Sequence, residues 1–269
     1  MGTKLDEIVA TVRKRVAAER ARAEVRDLEG QAQRHVPRGF RGALQSAARN
    51  GVAVIAELKK ASPSRGLIRQ DFRPAELARE LQESGAAALS VLTDTEFFQG
   101  SLQNLTVASG ATHLPCLRKD FVVDEFQLLE ARAYGADAVL LIVAALSSNE
   151  LATLGAAGRQ LGLDILCEVH DEAELQRALD AGFDLIGVNS RDLRTFKVDL
   201  NTALRLGGLL PKSVLGVAES GIESAQDIAQ LQAEGYRGFL IGESLMRAES
   251  PGRALQNLLA ETRKTVSSF

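Results

Sequence analysis

The chain has 269 residues, of which 45% are hydrophobic and 25% are charged. This composition, close to the average for globular proteins, supplies a sizeable core and excludes a wholly disordered chain. The formal net charge of −3 excludes the strongly basic surface typical of nucleic-acid-binding proteins. The longest apolar run, residues 138–146, is far shorter than the roughly 20 residues that cross a bilayer. We therefore expect neither a nucleic-acid partner nor a membrane partner.

The N-terminal segment differs in pattern from the rest of the chain. Apolar residues at helical spacing predict one amphipathic helix from Leu5 to about Gln33, followed by a loop around Pro37. The segment lacks the apolar core of a signal peptide, which favours a cytoplasmic protein. We expect residues 1–269 to form a single domain, with residues 1–50 as an N-terminal helical extension.

After this extension, short apolar runs alternate with helical stretches. The runs predict eight strands, which end near Glu57, Leu92, Lys119, Ile142, Glu168, Asn189, Glu219 and Gly242. Parallel neighbours can be joined only by a crossover, so the alternation predicts βαβ units. Eight units of similar length favour an α/β fold of the (β/α)8 TIM-barrel type over an open doubly wound sheet, and no GxGxxG motif follows the first strand. The leading helix would then cover one end of the barrel.

Polar side chains stand where several predicted strands end. In a (β/α)8 barrel the C-terminal strand ends carry the chemistry. The candidates there are Glu57, Lys59, Arg118, Lys119, Asp120, Glu168, Asn189, Arg191, Glu219 and Ser220. Contact with solvent would explain any one of these residues alone. Because five strand ends carry them, we predict one shared site.

Small residues follow the last two predicted strands. Gly221 comes directly after Ser220, and Gly242 precedes Ser244 by two positions. Loops after strands seven and eight of such barrels often bind phosphate, because small residues let backbone N–H groups approach the anion. Ordinary turn glycines explain either segment alone, but both together predict a phosphorylated substrate.

The aromatic residues and histidines carry weaker signals. Aromatic residues make up only 4% of the chain, and Phe98 and Phe121 near strand ends predict a wall for a flat ring. The three histidines lack metal-ligand spacing, so we expect surface or packing roles for His35, His113 and His170. The lysines among the mouth carboxylates would repel a divalent cation, and we therefore expect no metal.

Seven segments carry a family pattern in chain order. They are IAELKKASPSRG (55–66), SVLTDTEFFQGS (90–101), LRKDFVVD (117–124), CEVH (167–170), IGVNSRDL (186–193), VAESGI (217–222) and FLIGESLMR (239–247). Together they resemble the indole-3-glycerol phosphate synthases of tryptophan biosynthesis. ELKKASPS and LRKDF are highly specific, whereas many barrels share the glycine-serine loops. The leading helix resembles the N-terminal extension of that family, so the resemblance covers nearly the whole chain.

The resemblance implies a substrate and a reaction. The substrate would be 1-(2-carboxyphenylamino)-1-deoxyribulose 5-phosphate, which is closed to indole-3-glycerol phosphate with loss of carbon dioxide and water. No cofactor is needed, since the ketone of the substrate already serves as the electrophile. The enzyme would be a carboxy-lyase.

The resemblance also implies roles for individual residues. Lys119 resembles the general acid of the family, and Lys59 would hold the anthranilate carboxylate, with proton donation as an alternative role. Glu168 resembles the residue assigned to proton transfer in dehydration, with Glu57 as a second carboxylate. The other implied residues are Asn189 and Ser220, which would orient hydroxyls and charges, and the substrate-binding set Ser62, Phe98, Phe121, Arg191, Glu219, Gly221, Gly242 and Ser244.

Two other functions stay open at this point. One is an isomerase resembling phosphoribosylanthranilate isomerase, which would share the phosphate loops. Such enzymes commonly use cysteine and aspartate as their acid and base pair, and the set Lys59, Lys119 and Glu168 does not match that pair. A non-catalytic binding barrel would be expected to lose its charged mouth residues. For partners we expect the phosphorylated small molecule, a monomer or weak homo-oligomer, and contact with other tryptophan-pathway enzymes as a further option.

Overall fold

The computed structural model describes residues 3–193, 195 and 197–266. Eight parallel strands close into a barrel in chain order, and an antiparallel hairpin lies outside it. The barrel strands are β1 (Ala53–Leu58), β4 (Ala88–Leu92), β5 (Cys116–Lys119), β6 (Ala138–Ile142), β7 (Asp164–Val169), β8 (Leu185–Asn189), β9 (Leu215–Glu219) and β10 (Gly238–Ile241), and the hairpin consists of β2 (Ala61–Ser62) and β3 (Gly66–Leu67). Pairing of β10 with β1 closes the barrel and excludes the open doubly wound sheet.

All eight predicted strands are confirmed. Their residues are buried almost throughout, as expected for parallel strands covered by helices outside and by packed side chains inside. The helices are α1 (Lys4–Arg22), α2 (Val25–Arg34), α3 (Phe40–Arg49), α4 (Pro74–Glu83), α5 (Leu102–Gly110), α6 (Glu125–Ala133), α7 (Ser148–Gln160), α8 (Glu172–Asp180), α9 (Asn201–Gly207), α10 (Ala225–Ala233), α11 (Glu243–Arg247) and α12 (Pro251–Val266). None of the helices in the described part of the chain is long and apolar enough to span a membrane.

Side-chain caps fix several helix starts. The Asp124 side chain accepts a hydrogen bond from the Phe126 N–H at the start of α6, and Gln127 completes a capping box there. Ser147 caps α7 in the same manner. These caps fix the residue at which each helix begins. They therefore fix the length of the loop between the helix and the preceding strand at the barrel mouth.

The predicted single helix from Leu5 to Gln33 is wrong. The backbone is extended at Ala23, which ends α1 at Arg22 and separates it from α2. The two helices bury different surfaces, since the apolar stripe of α1 ends at Val16 whereas α2 packs against α6. A further helix, α3, follows the Pro37 loop and was not predicted. The assignment of the whole chain to one domain stays a prediction.

Helix α1 covers the C-terminal end of the barrel, as predicted for the leading helix. Arg15 Nη1 lies 2.9 Å from Asp94 Oδ2, beyond the end of β4, and Arg20 Nη1 lies 3.1 Å from Asp124 Oδ2. The Asp94 carboxylate is almost fully buried, so its pairing with Arg15 is well shielded from solvent. Helix α1 is therefore attached at the end of the barrel where chemistry is expected, whereas Arg38, later in the extension, pairs with Asp137 at the opposite end.

Candidate active site

A cavity opens at the C-terminal end of the barrel. Its walls contain all the residues that the family resemblance implies except Ser62, namely Glu57, Lys59, Phe98, Lys119, Phe121, Glu168, Asn189, Arg191, Glu219, Ser220, Gly221, Gly242 and Ser244. Of the two further strand-end candidates, Asp120 also lines the cavity. Arg118 does not line it, because its buried side chain pairs with Asp120 and Glu130 instead. Ser62 lies in β2, at the start of the hairpin. The strand ends therefore bring thirteen of the fourteen implied residues to one cavity.

Lys119 stands between two buried carboxylates. Its Nζ lies 2.8 Å from Glu168 Oε2 and 3.3 Å from Glu219 Oε2, and both carboxylates are almost fully buried. Burial alone would lower the pKa of Lys119, but the two carboxylates outweigh it and raise the pKa above the ordinary lysine value. Burial likewise opposes ionisation of Glu168, yet the neighbouring Lys119 and His170 lower its pKa below the ordinary range. The pair is thus an ammonium beside an ionised carboxylate.

Glu219 differs from Glu168 although both contact the same lysine. Burial, added to the negative charge of Glu168, raises the pKa of Glu219 to about 8 despite the opposing Lys119. Glu219 Oε1 has no hydrogen-bond partner among the described residues, which a neutral carboxyl tolerates better than a carboxylate does. Gly187 leaves the space for Glu219, because a Cβ at that position would clash with Oε1. At neutral pH the site therefore pairs one ionised with one protonated carboxyl group.

A second pair lies at the end of β1. Lys59 Nζ is 2.7 Å from Glu57 Oε1, and the two side chains are 13% and 6% exposed. A side chain at position 242 would clash with the Glu57 carboxylate, so Gly242 is needed for the placement of Glu57 as well as for access to the backbone. The mouth therefore holds two separate lysine–glutamate pairs.

The backbone after β9 turns sharply into the cavity. Ser220 has φ of 64° and Gly221 has φ of 81°, and the left-handed region is costly for serine. Next to this turn, after the neighbouring strand β10, Glu243 at the start of α11 is paired with Arg65 Nε at 3.1 Å and lies 3.8 Å from Arg191 Nη2. The sequence did not single out Arg65 or Glu243. Arg65, Arg191 and the small residues after β9 and β10 together suit an anionic group at this corner.

One wall of the cavity is apolar. The rings of Phe98 and Phe121 are 6.4 Å apart between centroids and tilted by 40°, as predicted for a wall beside a flat group. Leu5 and Ile8 of α1 complete this lining. Sequence reasoning identified both residues as part of a helical stripe but did not place that stripe at the cavity.

His170 lies beside the candidate site, although the sequence did not single it out as a site residue. It follows β7 directly, its side chain is 13% exposed, and its ring lies between Glu168 and Glu174. The surface or packing role expected for His170 stays a prediction. In the part of the chain that the structure describes, no group of three or more His, Cys, Asp or Glu side chains has the geometry of a metal site.

Sequence comparisons relate the chain to one family of known proteins. The family model for indole-3-glycerol phosphate synthase matches residues 5–258. The chain is 56% identical over 259 residues to the indole-3-glycerol phosphate synthase of Koribacter versatilis, covering 96% of this chain and 100% of the relative. It is 49% identical over 256 residues to that of Acidithiobacillus ferrooxidans, covering 94% of this chain and 97% of the relative.

A solved structure shares the fold alone. The tryptophan synthase alpha chain of Legionella pneumophila superposes with a TM-score of 0.61 at 15% identity, covering 87% of this chain and 98% of that chain. The family itself is shown by the closer sequence matches, which extend over nearly all of the chain. The chain belongs to the indole-3-glycerol phosphate synthase family.

Proposed function

We propose that this chain closes 1-(2-carboxyphenylamino)-1-deoxyribulose 5-phosphate to indole-3-glycerol phosphate, with loss of carbon dioxide and water, in tryptophan biosynthesis. The observation that carries this proposal is the placement of Lys119 between Glu168 and Glu219 in the cavity at the barrel mouth. It offers a proton donor and a proton acceptor within one buried cluster, which this reaction needs at successive steps. The enzyme is a carboxy-lyase.

The cavity walls suit the parts of this substrate. Its phosphate would lie against Gly221, Gly242 and Ser244, where small residues expose backbone N–H groups. The anthranilate ring would stack against Phe98 and Phe121. Its carboxylate would face Lys59, and Arg191 adds a positive charge to the same cavity. Asn189 and Ser220 would then orient the hydroxyls between these two ends.

The first step forms a carbon–carbon bond. The ring carbon that bears the carboxylate attacks the ketone carbon, and the ketone oxygen becomes a hydroxyl as it takes a proton from Lys119. Breaking the bond to the carboxylate releases carbon dioxide, and its electron pair restores the aromatic ring. Lys119 is suited to meet the developing alkoxide, since neighbouring carboxylates hold it as an ammonium in a buried site.

The last step removes water. Glu168 takes a proton from the adjacent methylene carbon, and the hydroxyl leaves with a proton from an ammonium group, for which Lys59 and Lys119 are the candidates. Glu168 suits the part of the base because it is ionised at neutral pH. Glu57 would hold Lys59 in place for this step.

Indole fluorescence tests the proposal directly. The chain contains no tryptophan, so indole emission that grows during incubation with the substrate reports the product. We expect the indole product, measured by its emission, and carbon dioxide to be formed in equal amounts. Tight substrate binding with no emission would point to a non-catalytic barrel, and turnover of phosphoribosylanthranilate instead would point to the isomerase.

We also propose a cytoplasmic monomer or weak homo-oligomer, with contact to other enzymes of the pathway as a further option. In support, the large hydrophobic side chains exposed among the described residues lie on separate elements, namely Val25, Val36, Leu67, Val107, Val198 and Leu209. Single exposed apolar residues are normal on the surface of a monomer, whereas an obligate dimer needs a continuous apolar face. Sedimentation equilibrium should give a mass near that of one chain at micromolar concentration.

A further inference from the structure

His170 lies between two carboxylates at the end of β7. Its Nδ1 is 3.0 Å from Glu174 Oε2, and the same oxygen accepts a hydrogen bond from the His170 backbone N–H at 2.9 Å. Its Nε2 lies 3.4 Å from Glu168 Oε1, which is an ion-pair distance, although the two atoms are not aligned for a hydrogen bond. The other oxygen of Glu168 accepts a hydrogen bond from Lys119 Nζ. Each oxygen of Glu168 therefore faces a different nitrogen.

The partner of Nδ1 fixes the state of the ring. A carboxylate accepts but does not donate, so Nδ1 carries a proton and points it at Glu174. A neutral ring would then leave two buried acceptors, Nε2 and Glu168 Oε1, 3.4 Å apart with no donor between them. A second proton on Nε2 removes this conflict and gives Glu168 a positive neighbour. The geometry thus favours an imidazolium.

We propose that His170, held by Glu174, is a positioning residue that keeps Glu168 as the ionised member of the Glu168–Glu219 pair. These two buried carboxyl groups share the single ammonium of Lys119. One cation does not offset two buried anions, so one carboxyl group must take up a proton. His170 supplies the additional positive charge to Glu168 alone and so determines which of the two is ionised.

The charged groups around this cluster agree with the assignment. Glu168 and Glu174 face the His170 ring from β7 and α8, while Lys119 and Glu219 face Glu168 from β5 and β9. Burial opposes the charged ring, but the two carboxylates outweigh it and raise the pKa of His170 to about 10. The same partners lower the pKa of Glu168, whereas the pKa of Glu219 is raised to about 8.

The inference rests on the proposed function, in which Glu168 must be ionised to accept the proton. In the His170→Asn variant, Glu168 loses a positive neighbour and its pKa should rise by about one to three units. The acidic limb of the kcat profile should therefore move to higher pH by that amount, with KM nearly unchanged. Glu174→Gln should move the limb in the same direction, because the ring loses the carboxylate that holds it charged.

The matched control is His113→Asn, an exposed histidine before β5 at the opposite end of the barrel, which should leave the profile in place. The proposal would be overturned if the acidic limb of the kcat profile stayed at the same pH in both His170→Asn and Glu174→Gln. A lower Tm without a shift of this limb would show that the role of His170 is structural. If His170→Asn does not fold, Glu174→Gln alone decides.

A second readout does not depend on turnover. The chain has three histidines, so NMR of labelled histidine can follow each ring through a pH titration. We expect the His170 ring to stay protonated through neutral pH in the wild type and to titrate at lower pH in Glu168→Gln. A His170 ring that is neutral at pH 7 would overturn the proposal. A wild type without turnover would instead refute the proposed function, while the titration would still test the pairing.

Discussion

Glu219→Gln should make the protein more stable at neutral and basic pH. Because burial raises the pKa of Glu219 from 4.5 to about 8, the folded chain holds a proton that the unfolded chain releases. This contribution is fully present below pH 4.5 and is lost as the pH rises toward 8. Glutamine has nearly the shape of the protonated acid and cannot ionise, so it avoids the loss.

The size of the effect follows from the shift. Each pH unit between the two pKa values changes the free energy of unfolding by about 1.4 kcal/mol. The stability advantage of Glu219→Gln should therefore grow from about 1 kcal/mol at pH 5 to about 4 kcal/mol at pH 8.

Urea unfolding at pH 5, 6, 7 and 8 measures this advantage. Glu125→Gln serves as the matched control, since Glu125 is exposed on α6, and its difference from the wild type should stay within about 0.5 kcal/mol at each pH. A difference between Glu219→Gln and the wild type that does not change with pH would refute the reasoning. So would a wild type that gains stability relative to the variant as the pH rises.

Three further predictions address the base, the apolar wall and the opposite end of the barrel. Glu168→Gln should lower kcat by about 10²- to 10⁴-fold with little change in KM, and steady-state kinetics showing an effect on KM alone would contradict its role. Ile8→Ala should raise KM about tenfold because it removes apolar surface from the cavity wall, and an unchanged KM would mean that α1 does not contact the substrate. Asp137→Asn should lower the free energy of unfolding by about 3 to 5 kcal/mol at pH 7, since it leaves the paired Arg38 without its buried carboxylate. Hydrogen bonds from His35, Arg38 and the Cys116 backbone lower the pKa of Asp137 despite its burial. The difference in unfolding free energy between Asp137→Asn and the wild type should therefore close as the pH falls below 3.8. A difference that persists there in denaturant titrations would count against the ion pair.

The barrel could be predicted from the sequence because its strands are buried on both faces. Such strands appear as continuous apolar runs, and a polar residue such as Lys119 or Asn189 marks the mouth end of five of them. Helix α9 has no recognisable start in the sequence, because Leu200 at its start makes no side-chain cap. For the same reason α3, which begins after Gly39, was not predicted. Local patterns thus identify elements that carry their own start signals.

The site could be predicted in membership but not in its electrostatics. Glu168 and Glu219 have the same sequence signature, an acidic residue at a strand end, yet their pKa values move in opposite directions. Glu168 contacts both Lys119 and His170, and the His170 ring in turn contacts Glu174 of α8. Likewise, the stripe that contains Ile8 predicts a helix without saying which surface it covers. These features depend on the closed barrel, and no local pattern contains them.

The most direct test of the assigned acid is the rate of a single turnover in Lys119→Ala. With enzyme in excess over substrate, the appearance of indole emission reports the chemical steps, and calorimetry gives Kd separately. Lys212→Ala, an exposed lysine before β9, is the matched control and should behave as the wild type. We predict that Lys119→Ala binds the substrate with a Kd within about tenfold of the wild type and forms indole at least about 10²-fold more slowly. A single-turnover rate equal to that of the wild type would contradict the assignment of Lys119 as the proton donor.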